Sequence, residues 1–239
     1  MKKLFITLIL SLTAVSFSHQ TNEREVIVVT HIDKHNYKEY IGKTVKVTGD
    51  VRLSDLGLTK IPINFTEVGG SFNCYKNELT SLKGAPKVIG GGFDCSFNEL
   101  ASLEGAPKKV GESFYCSNNE LTTLAGAPEK VGGGFNCSYN KLTSLEGAPK
   151  KVGGDFNCYK NELTSLEGAP EKVRRYFYCS GNELTSLEGS PKEVGGGFYC
   201  EDNELTSLKG APEKVGGGFY CYKNELTSLV GAPEKSRRK

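Results

Sequence analysis

The chain has 239 residues, of which 37% are hydrophobic and 24% are charged, with 29 Gly, one Met and no Trp. This length permits one domain with a buried core, and the glycine content indicates frequent turns. The formal net charge is +2 at pH 7, so the chain is a poor candidate for nonspecific nucleic-acid binding, and we expect no nucleic-acid partner.

Residues 1–18 have the pattern of a signal peptide. Two lysines precede an apolar stretch from Leu4 to Phe17, and small serines stand before a cleavage site. The apolar stretch is shorter than the about 20 residues that a transmembrane helix needs. We therefore expect an exported protein that is secreted, periplasmic or at the cell surface, with no membrane span after cleavage.

Residues 19–67 are predicted to form an N-terminal segment and a degenerate capping repeat. The stretch EVIVVTHI, residues 25–32, predicts a strand, and DKHNYKEYIG, residues 33–42, predicts a short helix. Val51, Leu53 and Leu56 stand 21 residues before Phe72, Cys74 and Asn77 of the first full repeat. Leucine replaces both Cys and Asn in this copy, which is typical of a terminal cap in a repeat protein.

Residues 68–233 contain eight copies of the pattern F-x-C-x-x-N-x-L-(T/A)-(S/T)-L-x-G-(A/S)-P. A fixed period of 21 residues is the signature of a solenoid. The repeated cysteines are Cys74, Cys95, Cys116, Cys137, Cys158, Cys179, Cys200 and Cys221. The repeated asparagines are Asn77, Asn98, Asn119, Asn140, Asn161, Asn182, Asn203 and Asn224.

Each copy is predicted to form one coil that carries one short strand. In the copy around Cys137, Phe135 and Cys137 alternate with polar residues, which predicts a strand with one buried face. Gly147 and Pro149 then break regular structure. No single coil has enough apolar surface to fold alone, so successive coils must stack and pair their strands in parallel.

This pattern resembles the leucine-rich-repeat family, whose core is L-x-x-L-x-L-x-x-N-x-L. The match falls on Phe135, Cys137, Asn140 and Leu142, and it recurs in all eight copies. The first Leu of the family pattern falls on Gly132, so a plain β-solenoid is the alternative fold. The resemblance implies leucine-rich-repeat-like coils with little helix, in which the Asn side chains turn inward and bond the backbone between coils.

The cysteines are expected to be buried free thiols that form a structural ladder. In-register residues on neighbouring parallel strands lie about 4.8 Å apart, which exceeds the usual Cβ separation of a disulfide. Leu53 at the equivalent position of the capping repeat shows that the slot accepts a hydrophobic side chain. The sequence has no C-x-x-C pair and all three histidines lie outside the repeats, so we expect neither a metal site nor another cofactor.

Candidate ligand-binding residues lie where the repeats differ from one another. The outward position beside each Cys holds a tyrosine in several copies, and one copy replaces Gly-Gly-Gly with Arg-Arg-Tyr. Tyrosine combines apolar area with a polar tip, so it is enriched in binding surfaces, although aromatic ladders also stabilise sheets. The hypothesis assigns ligand binding to Tyr115, Tyr178, Tyr199 and Tyr220, together with Arg174, Arg175 and Tyr176 as a cationic and aromatic patch.

Two other repeated surfaces offer alternatives. A column of glutamates, interrupted by Lys141, could attract calcium, but exposed carboxylates at strand spacing repel each other only weakly in water. A column of Thr-Ser pairs, such as Thr143-Ser144, resembles the face of an ice-binding solenoid, although such residues also solvate an ordinary loop edge. No nonrepeating cluster of base, nucleophile and charge stabiliser stands out, so we predict that the protein is not an enzyme.

The sequence therefore predicts an exported, nonenzymatic recognition or scaffold module that binds a protein or a glycan through its strand face. The alternative is a structural or ice-binding ladder protein. Residues 234–239 are a basic tail, and Ser236 stands where the repeat would place Val. The last coil would then expose its core edge, which suggests either a homodimer through this coil or a tail that folds over it.

Overall fold

The computed structural model describes residues 25–233, so the expected signal peptide and the basic tail lie outside the described residues. Within this range the chain forms a parallel β-solenoid in which successive coils pair every 21 residues, as between Phe135 and Phe156. The predicted repeat solenoid is thus confirmed. It is leucine-rich-repeat-like in its inward Asn ladder, and its helical content is one short 3-10 helix, Tyr37–Tyr40, in the described range.

Nineteen strands occur between residues 25 and 233. In chain order they are β1 (Val26–Val29), β2 (Thr44–Val47), β3 (Val51–Arg52), β4 (Asn64–Val68), β5 (Phe72–Asn73), β6 (Val88–Ile89), β7 (Phe93–Asp94), β8 (Lys109–Val110), β9 (Phe114–Tyr115), β10 (Lys130–Val131), β11 (Phe135–Asn136), β12 (Lys151–Val152), β13 (Phe156–Asn157), β14 (Lys172–Val173), β15 (Phe177–Tyr178), β16 (Glu193–Val194), β17 (Phe198–Tyr199), β18 (Lys214–Val215) and β19 (Phe219–Tyr220).

The strands form two parallel sheets on different sides of the core. Sheet A has ten strands, namely β1 and the even-numbered strands, and sheet B has nine, the odd-numbered strands from β3. The prediction of one strand per coil is therefore wrong, because each repeat carries two. The second strand is the pair formed by a charged residue and Val, such as Lys151–Val152, and Val152 is buried.

The core is a set of columns that run along the solenoid, one column for each inward position of the repeat. Phenylalanines from Phe72 to Phe219 stack ring on ring with centroid separations of 5.2 to 5.5 Å. Valine or isoleucine of sheet A, the cysteines, and two leucines per repeat complete the buried set. A stack of this kind leaves the outward residues free to vary without disturbing the core.

The N-terminal part closes the first end of the core. Strands β1 and β2 pair in parallel and lengthen sheet A, and the 3-10 helix Tyr37–Tyr40 lies between them in the chain. Val51 and Leu53 are fully buried in the position of the degenerate repeat, and Leu56 packs partly buried against the same core.

Most coils have glycine at the corner between their two strands, where there is little space for a side chain, and Arg174 holds this position in one coil. A Cβ on Gly153 would lie 1.9 Å from the carbonyl oxygen of Gly132 in the preceding coil. A second corner, after the Cys, has a left-handed backbone at residues such as Lys160, with φ of 50°. The chain therefore turns tightly on both sides of sheet B, which leaves a flat strand face between the corners.

Candidate functional site

The outward face of sheet B carries one column of variable side chains, contributed by the second residue of each strand. Strand pairing places these residues in register across the coils. From the N-terminal end the column reads Arg52, Asn73, Asp94, Tyr115, Asn136, Asn157, Tyr178, Tyr199 and Tyr220. The structure thus brings the four predicted binding tyrosines onto one face, with two asparagines between the first and the second.

Three of these tyrosines form a continuous stack, which we call the tyrosine strip: Tyr178, Tyr199 and Tyr220. Ring centroids lie 4.7 Å apart for Tyr178 and Tyr199 and 4.6 Å apart for Tyr199 and Tyr220. Tyr176 packs beside the strip at 6.0 Å from Tyr178 and 6.3 Å from Tyr199. Partial burial raises the pKa of Tyr178 and Tyr199 above the ordinary tyrosine value. The rings therefore pack against one another, and the phenols of Tyr178 and Tyr199 are neutral at physiological pH.

A shallow groove of about 340 Å³ lies between Tyr115 and Tyr178. Asn136 and Asn157 line it between these two tyrosines, and the glycine backbone of residues 133–134 and 153–154 lines its side. Tyr115 has 42% of its surface exposed, so it stands free as one wall. We call this feature the tyrosine–asparagine groove.

The two asparagines of the groove present hydrogen-bond donors to solvent. The Oδ1 of Asn136 accepts from the backbone N–H of Ser138 at 3.0 Å, and the Oδ1 of Asn157 accepts from that of Tyr159 at 2.9 Å. These bonds fix the orientation of both side chains. Within residues 25–233 neither Nδ2 group has a hydrogen-bond partner. Each amide can therefore donate two hydrogen bonds to a ligand in the groove.

One ion pair borders the groove beside the tyrosine strip. The Nε of Arg175 lies 3.6 Å from Oδ1 of Asp155, and the same oxygen accepts from the backbone N–H of Tyr176 at 3.2 Å. The guanidinium of Arg175 also lies 5.7 Å from the centre of the Tyr176 ring. These contacts hold a cation and an anion together at one end of the groove.

The structure separates Arg174 from the patch that the sequence predicted. Arg175 lines the groove on sheet B and Tyr176 packs against Tyr178, but Arg174 lines a different groove on sheet A. The reason is that Arg174 directly follows β14 of sheet A and begins the corner, whereas Arg175 and Tyr176 come later and lead into β15 of sheet B. The expected cluster of three residues beside Tyr178 is therefore wrong for Arg174.

Seven of the eight repeat cysteines are fully buried free thiols, and Cys221 in the last described coil is partly exposed. Burial raises the pKa of the buried thiols well above the ordinary value. Each buried Sγ lies 3.2 to 3.4 Å from a backbone oxygen of the next coil, as Cys158 does from Tyr178. The thiols are therefore closely packed and stay protonated. Because the thiolate is the reactive form, these buried cysteines are unreactive.

The asparagine ladder joins neighbouring coils through its side chains. The Oδ1 of Asn140 accepts from the backbone N–H of Leu121 at 3.0 Å, and its Nδ2 donates to the carbonyls of Cys116 and Cys137. Every such Asn reaches back to the preceding coil. Leu56 replaces Asn in the first coil, where no complete coil precedes it to receive these bonds.

The two alternative ladders are exposed and make local contacts. Lys141 forms an ion pair with Glu120 of the preceding coil, which neutralises part of the glutamate column. The Thr-Ser column is exposed at Thr, while several serine hydroxyls accept from a backbone N–H two residues later, as Ser165 does from Glu167 at 3.1 Å. Those serine oxygens are engaged in turns of their own coil.

The segment that holds the described histidines lines a shallow cleft of about 320 Å³. His31, Asp33 and Asp50 contribute to it. Asp33 accepts from the backbone N–H of His35 at 2.8 Å, and this bond lowers the pKa of its carboxyl. Arg52 forms an ion pair with Asp50 at 2.9 Å. Both carboxylates are thus occupied by neighbouring groups.

Sequence reasoning did not select Asn136, Asn157 and Asp155 as site residues. The signal available for the two asparagines was their place in the outward column between two tyrosines. Between residues 25 and 233, no three His, Cys, Asp or Glu side chains are grouped to hold a metal ion. In the same range, every helix is too short or too polar to cross a membrane.

Comparisons with known proteins give one structural similarity. No protein-family model matches the chain, and no curated protein matches it. YopM from Yersinia enterocolitica WA-314 is similar in structure, with 16% sequence identity and a TM-score of 0.30. The matched region covers 81% of this chain and 63% of that one, so it spans less than two thirds of YopM.

Proposed function

We propose that this protein is an exported, nonenzymatic recognition module that binds a protein or a glycan through the outward face of sheet B. The observation that carries the proposal is the tyrosine–asparagine groove, where two ring walls enclose amide donors without partners in the described chain. The tyrosine strip continues this surface toward the C-terminal end, so the candidate contact area covers six successive coils from Tyr115 to Tyr220.

The chemistry of the groove suits a ligand with flat apolar faces and acceptor oxygens. A tyrosine ring offers apolar area at little entropic cost, and its hydroxyl can also bond to the ligand. The amides of Asn136 and Asn157 donate to hydroxyl, ether or carbonyl oxygens. Sugar rings and extended peptide segments both carry this combination of groups.

The rigidity of the scaffold favours tight binding by such a surface. The orientation of each Asn is fixed by its bond to the backbone two residues later, and the strip is held by ring stacking. A site that is already ordered avoids the cost of fixing side chains when the ligand arrives, which is about 0.5–1.5 kcal/mol for each immobilised side chain.

The test exchanges the amide donors for isosteric acceptors. In the double variant Asn136→Asp, Asn157→Asp, each Oδ1 still accepts from the backbone, but the groove loses its side-chain N–H groups. We expect the variant to lose its partner, measured by glycan-array binding and by affinity capture from extracellular extracts with mass spectrometry. The matched control is Asn73→Asp, which has the same bond to the backbone N–H of Tyr75 at 2.9 Å but lies outside the groove.

A second variant tests the tyrosine strip: Tyr178→Ala, Tyr199→Ala, Tyr220→Ala, with Tyr139→Ala as an exposed tyrosine outside the strip. We expect partner loss in the triple variant and retention in Tyr139→Ala, with circular dichroism showing all variants folded. Retention of the same partner by both groove and strip variants would contradict recognition through sheet B.

A further inference from the structure

A ladder of lysines runs along the outer side of sheet A, on a different surface from the tyrosine–asparagine groove. It is formed by the first residue of successive strands, and Lys130 pairs in register with both Lys109 and Lys151. The full column, from β8 to β18, reads Lys109, Lys130, Lys151, Lys172, Glu193 and Lys214. Four consecutive coils therefore place an ammonium group at the same position, with strands about 4.8 Å apart.

The adjacent column in the same coils has a different charge pattern. The residues that precede these strands are Lys108, Glu129, Lys150, Glu171, Lys192 and Glu213. Their signs alternate from coil to coil, so each charge faces opposite charges across the strand spacing. Like charges directly opposite each other destabilise a sheet. The lysine ladder thus carries a repulsion that the neighbouring column avoids.

Three lysines of the ladder have no acidic partner within the described part of the chain. Glu193 forms ion pairs with Lys172 and with Lys214, the latter at 3.1 Å. These bonds lower the pKa of Glu193. Among residues 25–233, no carboxylate oxygen lies within 4.0 Å of the Nζ of Lys109, Lys130 or Lys151. Their charge is available to a ligand.

The ladder borders a long open groove of about 730 Å³ on sheet A. Gly132 and Gly153 line it with bare backbone, and Arg174 and Lys150 add cationic groups to the ladder. Among residues 25–233, the acids in its lining are Glu171 and Glu193, and no aromatic side chain lines it. The groove is therefore a shallow, cationic trough parallel to the long axis of the solenoid.

We propose that this trough binds a linear acidic polysaccharide with one carboxylate per sugar, lying along the solenoid axis across Lys130, Lys151 and Lys172. Lys109, in register with Lys130, continues the ladder beyond the lining of the trough. A pyranose unit spans about the distance between two coils, and successive 1,4-linked units of an extended chain face opposite sides. Carboxylates on one side therefore recur about every two coils, in step with every second lysine. An extended peptide places side chains on one face only every 6.6–6.8 Å or so. Single-stranded nucleic acids are held by stacking on aromatic side chains, which this lining lacks.

The test uses the full mature protein and sodium polygalacturonate as the probe, with affinity measured by isothermal titration calorimetry at several salt concentrations. The triple variant Lys109→Gln, Lys130→Gln, Lys151→Gln is expected to weaken binding about tenfold or more and to flatten the salt dependence, because fewer counterions are released. The control Lys34→Gln, Lys60→Gln, Lys83→Gln removes the same charge from exposed positions elsewhere and is expected to change affinity less than about twofold.

A gain-of-affinity variant makes the result independent of folding defects. Glu193→Gln removes the acid that pairs with Lys172 and Lys214, so it frees both ammonium groups for the ligand. We expect this variant to bind polygalacturonate about threefold or more tightly. Equal affinity of the ladder and control triple variants would overturn the proposal. So would binding of polyglutamate or of a single-stranded DNA of matched charge at least as tight as that of polygalacturonate.

Discussion

Removal of one ladder asparagine tests how the coils are joined. The variant is Asn140→Ala, in the middle of the stack. In the folded protein Oδ1 of Asn140 accepts from the N–H of Leu121 at 3.0 Å, and its Nδ2 donates to the carbonyls of Cys116 at 3.1 Å and Cys137 at 3.0 Å. Nδ2 also donates to the carbonyl of Ser138 at 3.2 Å, so truncation removes four bonds from a site that is almost closed to water.

The size of the stability loss depends on which backbone groups are left without any hydrogen-bond partner. The carbonyl of Cys116 still accepts from Asn119, and that of Cys137 still accepts from Asn161. The N–H of Leu121 loses the only partner that the described chain gives it. A buried backbone group without a partner costs about 1–3 kcal/mol, and each weakened carbonyl adds less. We therefore expect a loss of about 3 kcal/mol in the free energy of unfolding.

The assay is urea denaturation followed by circular dichroism, with linear extrapolation to water. Asn136→Ala is the matched control, since it removes the same side chain from the same coil but breaks only the half-exposed bond to Ser138. That control is expected to lose about 1 kcal/mol or less. A loss in Asn140→Ala no larger than in Asn136→Ala would refute the reasoning, because water would then satisfy the N–H of Leu121.

Three further predictions concern the core and its corners. Burial raises the pKa of the seven buried thiols, so the folded protein keeps protons that the unfolded chain releases above about pH 9. The free energy of unfolding should therefore fall above that pH, by about 1.4 kcal/mol per pH unit for each thiol. Urea titrations between pH 7 and 10.5 check this, and a flat profile would contradict buried protonated thiols. Thiol-reactive chromogenic reagent should modify Cys221 rapidly in the native protein and the other seven only after denaturation, and rapid reaction of all eight would contradict the burial. Gly153→Ala should lower the free energy of unfolding by about 2–3 kcal/mol, because the added Cβ would lie 1.9 Å from a backbone oxygen. Gly42→Ala is the control, since Gly42 has open space around it and a φ of +75°, and it should lower that free energy by about 1 kcal/mol. Equal melting temperatures for these two variants would contradict the close approach.

The period and the inward face were predictable because they recur at fixed spacing. Phe135 and Cys137 alternate with polar neighbours, and that alternation identifies a buried strand face in a single copy. The Asn position was identified through the family resemblance, and its side-chain bonds in the structure fit that expectation. Repetition across the copies averages out local exceptions, which is why these columns were visible in the sequence.

The second strand and both grooves were harder to predict. Lys151–Val152 is only two residues long and combines one charged with one apolar residue, so it has no alternation that would identify a strand. The grooves depend on which residues of different coils share a column. Arg174 and Arg175 are adjacent in the chain, yet they lie on different sheets because a corner begins after β14. Sequence spacing alone does not locate that corner.

The direction of the backbone hydrogen bonds has a mechanical consequence. In both sheets they join one coil to the next, so they point along the long axis, as between Cys137 and Asn157. Tension applied to the two ends would act parallel to these hydrogen bonds. The bonds of one coil would therefore break before those of the next. Each detached coil would release 21 residues, or about 70 Å of extended chain. Under force the molecule should lengthen in equal steps, each counted by one cysteine newly accessible to solvent.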